Sequence, residues 1–288
     1  MSTGREDNLP PNPNIIRFEM SDMLNWQHPT VALTDADVII DCAAQVSTFE
    51  SVTDPWKDYK INSLGKFMLL ETLRTHNDDA LIIFTSSRSV HGETPLGDVT
   101  DELSPFNPHS FYNTHKIYVE HLLKLYRGLY GMKNVILRPA NVYGPRMTNK
   151  GLYGFVCRWI AYVLQDKPIP IWGSGYQIRD FTYVTDIAKA YPMVIDNPNA
   201  LGQAFLLCNG VGTTLLDLAN KISNICEKKL NLEYYPSKKG DIQRFVGDFD
   251  KSRATLGWSP TVNLDDGLKL TIDWVKQNLS RYDLYNLV

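Results

Sequence analysis

Apolar and polar positions alternate along the 288-residue chain on two different periods. Val38-Ile39-Ile40, Leu81-Ile82-Ile83-Phe84 and Asn134–Arg138 are short runs with few polar interruptions, the pattern of strands buried on both faces. Longer segments with helical spacing lie between them. From Pro55 to residue 76, Leu64, Phe67, Met68, Leu69, Leu70 and Leu73 cover more than one face, which predicts a helix that is largely buried or lies at a subunit contact. A second helix is predicted from about Tyr112 to a C-terminal cap at Gly131. Strands alternating with helices from 38 to 138 predict right-handed βαβ units, and so an α/β fold with a doubly wound parallel sheet.

The pattern then changes. Residues 151–165 read as an amphipathic helix, 168–172 as an extended segment and 173–180 as a loop. A helix is predicted over 184–196, and a strand over 204–208 that rejoins the sheet. Thr213 or Thr214 caps a helix running to about Lys229; a strand at 232–235, a polar loop and a last helix at 265–279 follow. At the other end, residues 1–13 are polar and proline-rich and read as a loop or tail, and Asn14–Glu19 is a short strand candidate.

Composition narrows the class only a little. Hydrophobic residues make up 43% and charged residues 21%, with a net charge of −3. That suits a globular protein and offers no basic tract for nucleic acid. No apolar run reaches the roughly 18 residues of a membrane span, and no signal peptide is visible. Cys42, Cys157, Cys208 and Cys226 are widely spaced, which points to reduced thiols and a cytoplasmic location. The six histidines show no ligand spacing, so no metal site is expected.

Candidate chemistry gathers between Phe84 and Lys116. Ser87 would sit just past the carboxyl end of the Leu81–Phe84 strand, where open α/β sheets bind ligands. Tyr112 follows 25 residues later, and Lys116 is four residues further on, on the same helical face. An ammonium there is expected to lower the phenol pKa and make Tyr112 a base near neutral pH, with Ser87 donating to the same substrate oxygen. The small residues Cys42-Ala43-Ala44 after the first strand permit either close approach of a ligand or tight helix packing.

This joint pattern resembles the extended short-chain dehydrogenase/reductase family, the nucleotide-sugar epimerases and dehydratases, over about residues 14–280. The resemblance implies NAD as cofactor and a nucleotide-diphosphate sugar as substrate. It makes Tyr112 and Lys116 the base and ribose anchor, and Ser87, in Ser86–Gly92, the catalytic hydroxyl; His91 replaces the family's usual tyrosine. Asp22 and Met23 look like the pair that holds adenine, and Cys42, Ala43 and Ala44 like the segment under ribose and diphosphate. Asn62 matches the asparagine of Asn-x-x-Gly, and Pro139 would lie near nicotinamide. For the substrate it implies Asn141 at the sugar nucleotide, Trp172 on the base, Arg179 on the diphosphate, and Lys238 and Asp241 in a loop closing over it. Residues 1–148, with 180–210 rejoining its sheet, form the implied dinucleotide-binding domain; 149–179 and 211–288 form a smaller α/β substrate domain. Family members commonly dimerise through the helices carrying Asn62 and Tyr112, so a homodimer is expected.

Family dehydratases carry Asp-Glu directly after the catalytic hydroxyl, and related decarboxylases a glutamate; here Arg88 and Ser89 stand there. The resemblance therefore implies an epimerase that oxidises and re-reduces the sugar, with carbon 4 the default and the tyvelose/paratose 2-epimerases the alternative, from the stretch Gln45–Asn62. The family also opens with a strand and a Gly-x-x-Gly-x-x-Gly turn, whereas the only glycine among the first 60 residues is Gly4. The expectation is thus a Rossmann-like sheet truncated at its N-terminal side, with an unpaired edge at Val38–Ile40 and weak NAD binding. A non-catalytic relic that lost NAD binding is the further alternative.

Overall fold

The computed structural model describes residues 5–9, 14, 22, 24, 31–147 and 154–282. Met23, all of the Asn14–Glu19 strand candidate except Asn14, and residues 151–153 of the expected helix lie outside them. In chain order the elements are α1 (Val31–Thr34), β1 (Val38–Asp41), α2 (Thr48–Thr53), α3 (Pro55–Tyr59), a π-turn (Lys60–Leu64), α4 (Gly65–His76), β2 (Leu81–Thr85), α5 (Phe111–Tyr130), β3 (Asn134–Pro139) and β4 (Asn141–Tyr143). There follow α6 (Phe155–Leu164), β5 (Ile169–Trp172), β6 (Ile178–Tyr183), α7 (Val184–Ile195), β7 (Ala204–Leu207), β8 (Gly212–Thr214), α8 (Leu215–Ile225), β9 (Leu232–Tyr235), α9 (Asp250–Leu256) and α10 (Leu264–Gln277).

Strands β1, β2, β3 and β7 form one all-parallel sheet in the order β1-β2-β3-β7. The alternation within β2 shows how both faces are covered. Ile82 and Phe84 pack with Leu70 and Leu73 of α4 and Val119 and Leu123 of α5. Leu81 and Ile83 pack on the opposite face with Ile187 and Val194 of α7, Phe205 of β7 and Trp258. The doubly wound α/β arrangement is therefore present. Among the described residues β1 is an edge strand, and Ile40 is left 48% exposed.

A second core gathers around α6, α8 and α10, with Ile169 and Ile171 of β5 and Phe181 and Tyr183 of β6. Strands β4 and β6 pair parallel and β6 and β8 antiparallel, while β5 and β9 form a separate parallel pair.

Three elements differ from expectation. The segment expected to be a loop through Asp180 instead enters β6 at Ile178. Arg179 and Asp180 are buried there and hydrogen-bonded, so polar residues disguised a strand. The helix expected to reach Lys229 stops at Ile225, because Glu227 adopts φ +54° and turns the chain. The helix over 55–76 is interrupted by the π-turn at 60–64, which carries Asn62. By contrast α5 ends as expected, with Gly131 left-handed at φ +75°.

Candidate active site

Strand β2 delivers Ser86 and Ser87 at the carboxyl edge of the sheet. Ser87 leaves the strand extended and caps the 3₁₀ turn Arg88–His91, its Oγ accepting from Ser89 N at 3.2 Å and from Ser89 Oγ at 2.8 Å. Gly92 closes this turn at φ +67°, and a Cβ there would collide with the Asn107 carbonyl. At the start of α5, Ser110 Oγ accepts from Asn113 N at 3.3 Å, fixing the first turn and with it Tyr112 and Lys116. Tyr112 is buried and hydrogen-bonded with Ser87. Lys116 is buried as well; its Nζ donates to Thr85 O at 2.7 Å and lies 5.8 Å from the Tyr112 ring centre.

One cavity of about 500 Å³ opens over these groups. It brings together Ser87, Tyr112, Pro139, Asn141, Trp172, Arg179, Lys238 and Asp241. Lys116, Asn62 and the Cys42–Ala44 segment stand outside its wall.

The electrostatics correct one expectation. Tyr112 is not shifted towards neutral pH; burial pushes its phenol up to about 12, and the Ser87 hydrogen bond and Arg88 offset only part of that. Burial also lowers Lys116, to about 8, helped by the neighbouring Lys66. The spacing of Tyr112 and Lys116 sets their geometry, but a dry pocket penalises the phenolate and the ammonium alike.

Around β1 the polar groups are committed to one another. Lys66 Nζ pairs with Asp41 Oδ1 at 2.5 Å and donates to Ala43 O, and Asp41 Oδ1 also accepts from Ala43 N at 3.1 Å. The Cys42–Ala44 shelf is thereby held rigid, with Cys42 and Ala43 exposed. Asn62 is buried and turns its amide towards Gln45 and Asp58. Its Oδ1 accepts from Gln45 N at 3.1 Å and its Nδ2 donates to Gln45 O at 2.8 Å and Asp58 Oδ2 at 3.0 Å. Asp58, fully buried, also meets His115 Nδ1 at 2.5 Å. Asp22 is exposed and accepts from Leu24 N at 2.9 Å.

Behind Ser87, Glu120 and Arg138 form a bidentate buried pair at 2.6 and 3.0 Å, and Ser86 Oγ donates to Glu120 Oε1 at 2.5 Å. His91 joins this network: Nδ1 meets Ser104 O at 2.9 Å and Nε2 meets Arg138 Nη1 at 3.0 Å. Burial and Arg138 keep His91 below its ordinary pKa, so it is neutral, with Nδ1 donating and Nε2 accepting.

In the same cavity wall Arg179 Nη2 pairs with Asp241 Oδ1 at 2.6 Å. Trp172 stacks on Tyr235 at 5.2 Å between ring centres, and Lys238 Nζ lies 3.4 Å from the centre of the Trp172 ring. Burial, with Arg158 nearby, lowers Lys238 to about 8. Arg88, Arg158 and Tyr235 were not anticipated at this site. Arg158 carried a signal, as the one charge in an otherwise apolar helix, Phe155–Leu164.

A doubly wound parallel sheet with serine, tyrosine and lysine at its carboxyl edge, and a cationic cavity above, defines an extended short-chain dehydrogenase/reductase enzyme. A model of the NAD dependent epimerase/dehydratase family matches residues 2–208, and the chain belongs to that family, with NAD as cofactor. A putative UDP-glucose 4-epimerase of Methanocaldococcus jannaschii is 32% identical over 282 residues, covering 96% of this chain and 89% of that one. A UDP-glucose 4-epimerase of Thermotoga maritima, solved with UDP-glucose, is similar with TM-score 0.88 at 30% identity, over 97% of this chain and 89% of that one. A Thermus thermophilus UDP-glucose 4-epimerase, solved with NAD, also has TM-score 0.88, at 29% identity, over 96% and 89%. The residues here fit such a cofactor. The exposed small-residue shelf at Cys42–Ala44 leaves room at the carboxyl edge of β1, and Lys116 stands behind Tyr112 with further N–H donors beyond the one given to Thr85.

Proposed function

We propose that this NAD-dependent nucleotide-sugar epimerase acts at carbon 4 of a nucleoside diphosphate sugar. The observation that carries the reading is the one cavity that Ser87 and Tyr112 line together with Trp172, Arg179 and Lys238. The first two suit a sugar hydroxyl and the other three a base and two phosphates. In this reading Tyr112 Oη takes the hydroxyl proton, Ser87 Oγ donates to the same oxygen, and Lys116 holds the ribose of the cofactor. NAD, when bound, accepts the hydride and returns it. Asn141 contacts the sugar, and Arg179, already oriented by Asp241, grips the diphosphate. Arg88 and Ser89 offer no carboxylate for dehydration, which supports epimerisation. Asp22, Cys42, Ala43, Ala44, Asn62 and Pro139 take the cofactor side, Asn62 by positioning Gln45.

The 2-epimerase alternative has one observation in its favour: Val46, Ser47, Thr48 and Phe49, from the stretch that resembles those enzymes, line the cavity. Exposed Trp56, Tyr59 and Tyr118 on α3 and α5 support a homodimer through these helices, and a monomer in sedimentation velocity would refute it. Calorimetry with UDP, CDP and TDP, followed by NMR of the product formed from UDP-glucose, tests the main reading. Inversion at carbon 4 is expected. Inversion at carbon 2, loss of water, or failure of all three nucleotides to bind would overturn it.

A further inference from the structure

The cavity is more cationic than a diphosphate alone requires. Arg88, Arg158, Arg179, Lys238 and Lys239 line it, against Asp241 as the one acidic lining residue among the described residues. Arg179 has Asp241, and Lys238 lies on the Trp172 ring. Arg88 stands apart. It is partly buried, its Nη2 donates to Asn141 Oδ1 at 3.3 Å, and its guanidinium rests 4.7 Å from the centre of the Phe245 ring. Among the described residues no carboxylate lies within ion-pair distance of it. A guanidinium drawn out of water with one neutral acceptor is costly, unless an anion arrives. Its pKa is accordingly lowered to about 9, by burial and by the like charge of Arg179, with Asp241 and Asp180 offsetting only part of that.

Position says which anion. Arg88 follows Ser87 directly and donates to Asn141, the residue read as contacting the sugar, while Arg179 acts on it only through its charge, so the sugar is the nearer candidate. If Ser87 and Tyr112 hold the oxygen on carbon 4, the flanking exocyclic groups are the hydroxyl on carbon 3 and the substituent on carbon 5, and only the latter can carry a carboxylate. A hydroxymethyl there would leave the guanidinium with no ion-pair partner, Asp241 and Asp180 acting on it only from beyond contact distance. A carboxylate would meet its planar fork with two parallel N–H donors. We propose that the sugar is acidic, a uronic-acid type carrying a carboxylate on carbon 5, and that Arg88 recognises that carboxylate. This rests on the nucleotide-sugar reading and on carbon 4 as the reacting centre.

Calorimetry with UDP, UDP-glucose and UDP-glucuronate, on the whole chain and on Arg88→Gln and Arg88→Lys, tests it. The parent is expected to bind UDP-glucuronate about 10- to 100-fold more tightly than UDP-glucose, the factor that charge-assisted hydrogen bonds carry. Arg88→Gln should reduce that preference to within about threefold while UDP affinity changes by less than about threefold, and Arg88→Lys should fall between. Equal binding of the two sugars by the parent overturns the inference, whether or not a variant folds. So does a loss on UDP as large as that on UDP-glucuronate in Arg88→Gln, because the guanidinium then serves the diphosphate. Failure of the parent to bind UDP would overturn both readings, and is distinct from UDP binding without a preference for the acid.

Discussion

Glu120→Leu should be among the most destabilising single changes available near the site. Glu120 and Arg138 side chains are 3% and 6% exposed, and the carboxylate meets Arg138 Nε and Nη2 at 3.0 and 2.6 Å and Ser86 Oγ at 2.5 Å. Leucine keeps most of the volume and removes all three contacts. Arg138 is then left buried with only neutral acceptors, His91 Nε2 at 3.0 Å and Glu102 O at 3.4 Å. Breaking one side of such a pair costs about 3–5 kcal/mol. At about 2–4 °C per kcal/mol for a chain of this size, the thermal midpoint should fall by about 6–20 °C. The pair itself is not the source of stability, so Glu120→Leu combined with Arg138→Met should recover to within about 2 kcal/mol of the parent. Turnover should fall more than UDP affinity in the single variant, because Ser86 is the residue before Ser87 and loses its anchor. Urea and thermal unfolding of the parent, single and double variants decide the matter. A single variant within about 1 kcal/mol of the parent, or a double variant no more stable than the single, would refute the reasoning.

Three further outcomes are expected. Tyr112→Phe should lose several decades of turnover with the fold intact, since a positioned proton acceptor alone contributes about 10²–10⁴-fold; near-normal rates would remove Tyr112 from the reaction. Arg179→Ala should weaken UDP binding by about 1.5–3 kcal/mol, read by calorimetry, both by losing the fork and by leaving Asp241 unpaired near the diphosphate. Asp180, fully buried, has its carboxyl raised to about 6 despite accepting from Asn209 N, Gly210 N and Gly247 N. A raised acid favours the folded state fully below its unfolded pKa and loses that advantage as pH rises through the folded value. Stability should therefore drop between about pH 4 and 6 by about 3 kcal/mol on this account, at 1.36 kcal/mol per unit. Asp180→Asn should flatten that part of the curve relative to the parent, and an unchanged slope would count against the assignment.

The elements that could be read in advance are those whose apolar period is clean. Val38–Ile40, Leu81–Phe84 and Asn134–Arg138 became β1, β2 and β3, because parallel strands covered on both faces need unbroken apolar runs. Ala204–Cys208 rejoined that sheet beside β3 for the same reason. What stayed hidden was hidden by charge. Strand β6 contains Arg179 and Asp180, each buried with a partner from a distant segment: Asp241 for the first, the backbone of residues 209, 210 and 247 for the second. The α2 helix and the short β4 and β8 strands are too brief for periodicity to speak. Asn62 was visible as a motif, but not that a π-turn would aim its amide at Gln45 and Asp58 rather than outwards.

The same limit governs the chemistry. Eight of the singled-out residues meet in one cavity because their order along an α/β chain places them at the carboxyl edge of the sheet and on the loops above it. Local spacing is enough to bring Lys116 behind Tyr112. It is not enough to set a pKa, which depends on how much water the finished fold leaves around the pair. Here the fold leaves little, so the phenol rises to about 12 while the ammonium drops to about 8. Lys66 adds to the second shift, and Lys66 is present because Asp41 at the end of β1 is its partner, two residues that no local pattern connects. A resting site of this kind holds its proton on Tyr112. Positive charge or hydrogen-bond donors brought to the phenol by bound molecules would lower its pKa again, which would tie any proton transfer through Tyr112 to occupancy of the cavity.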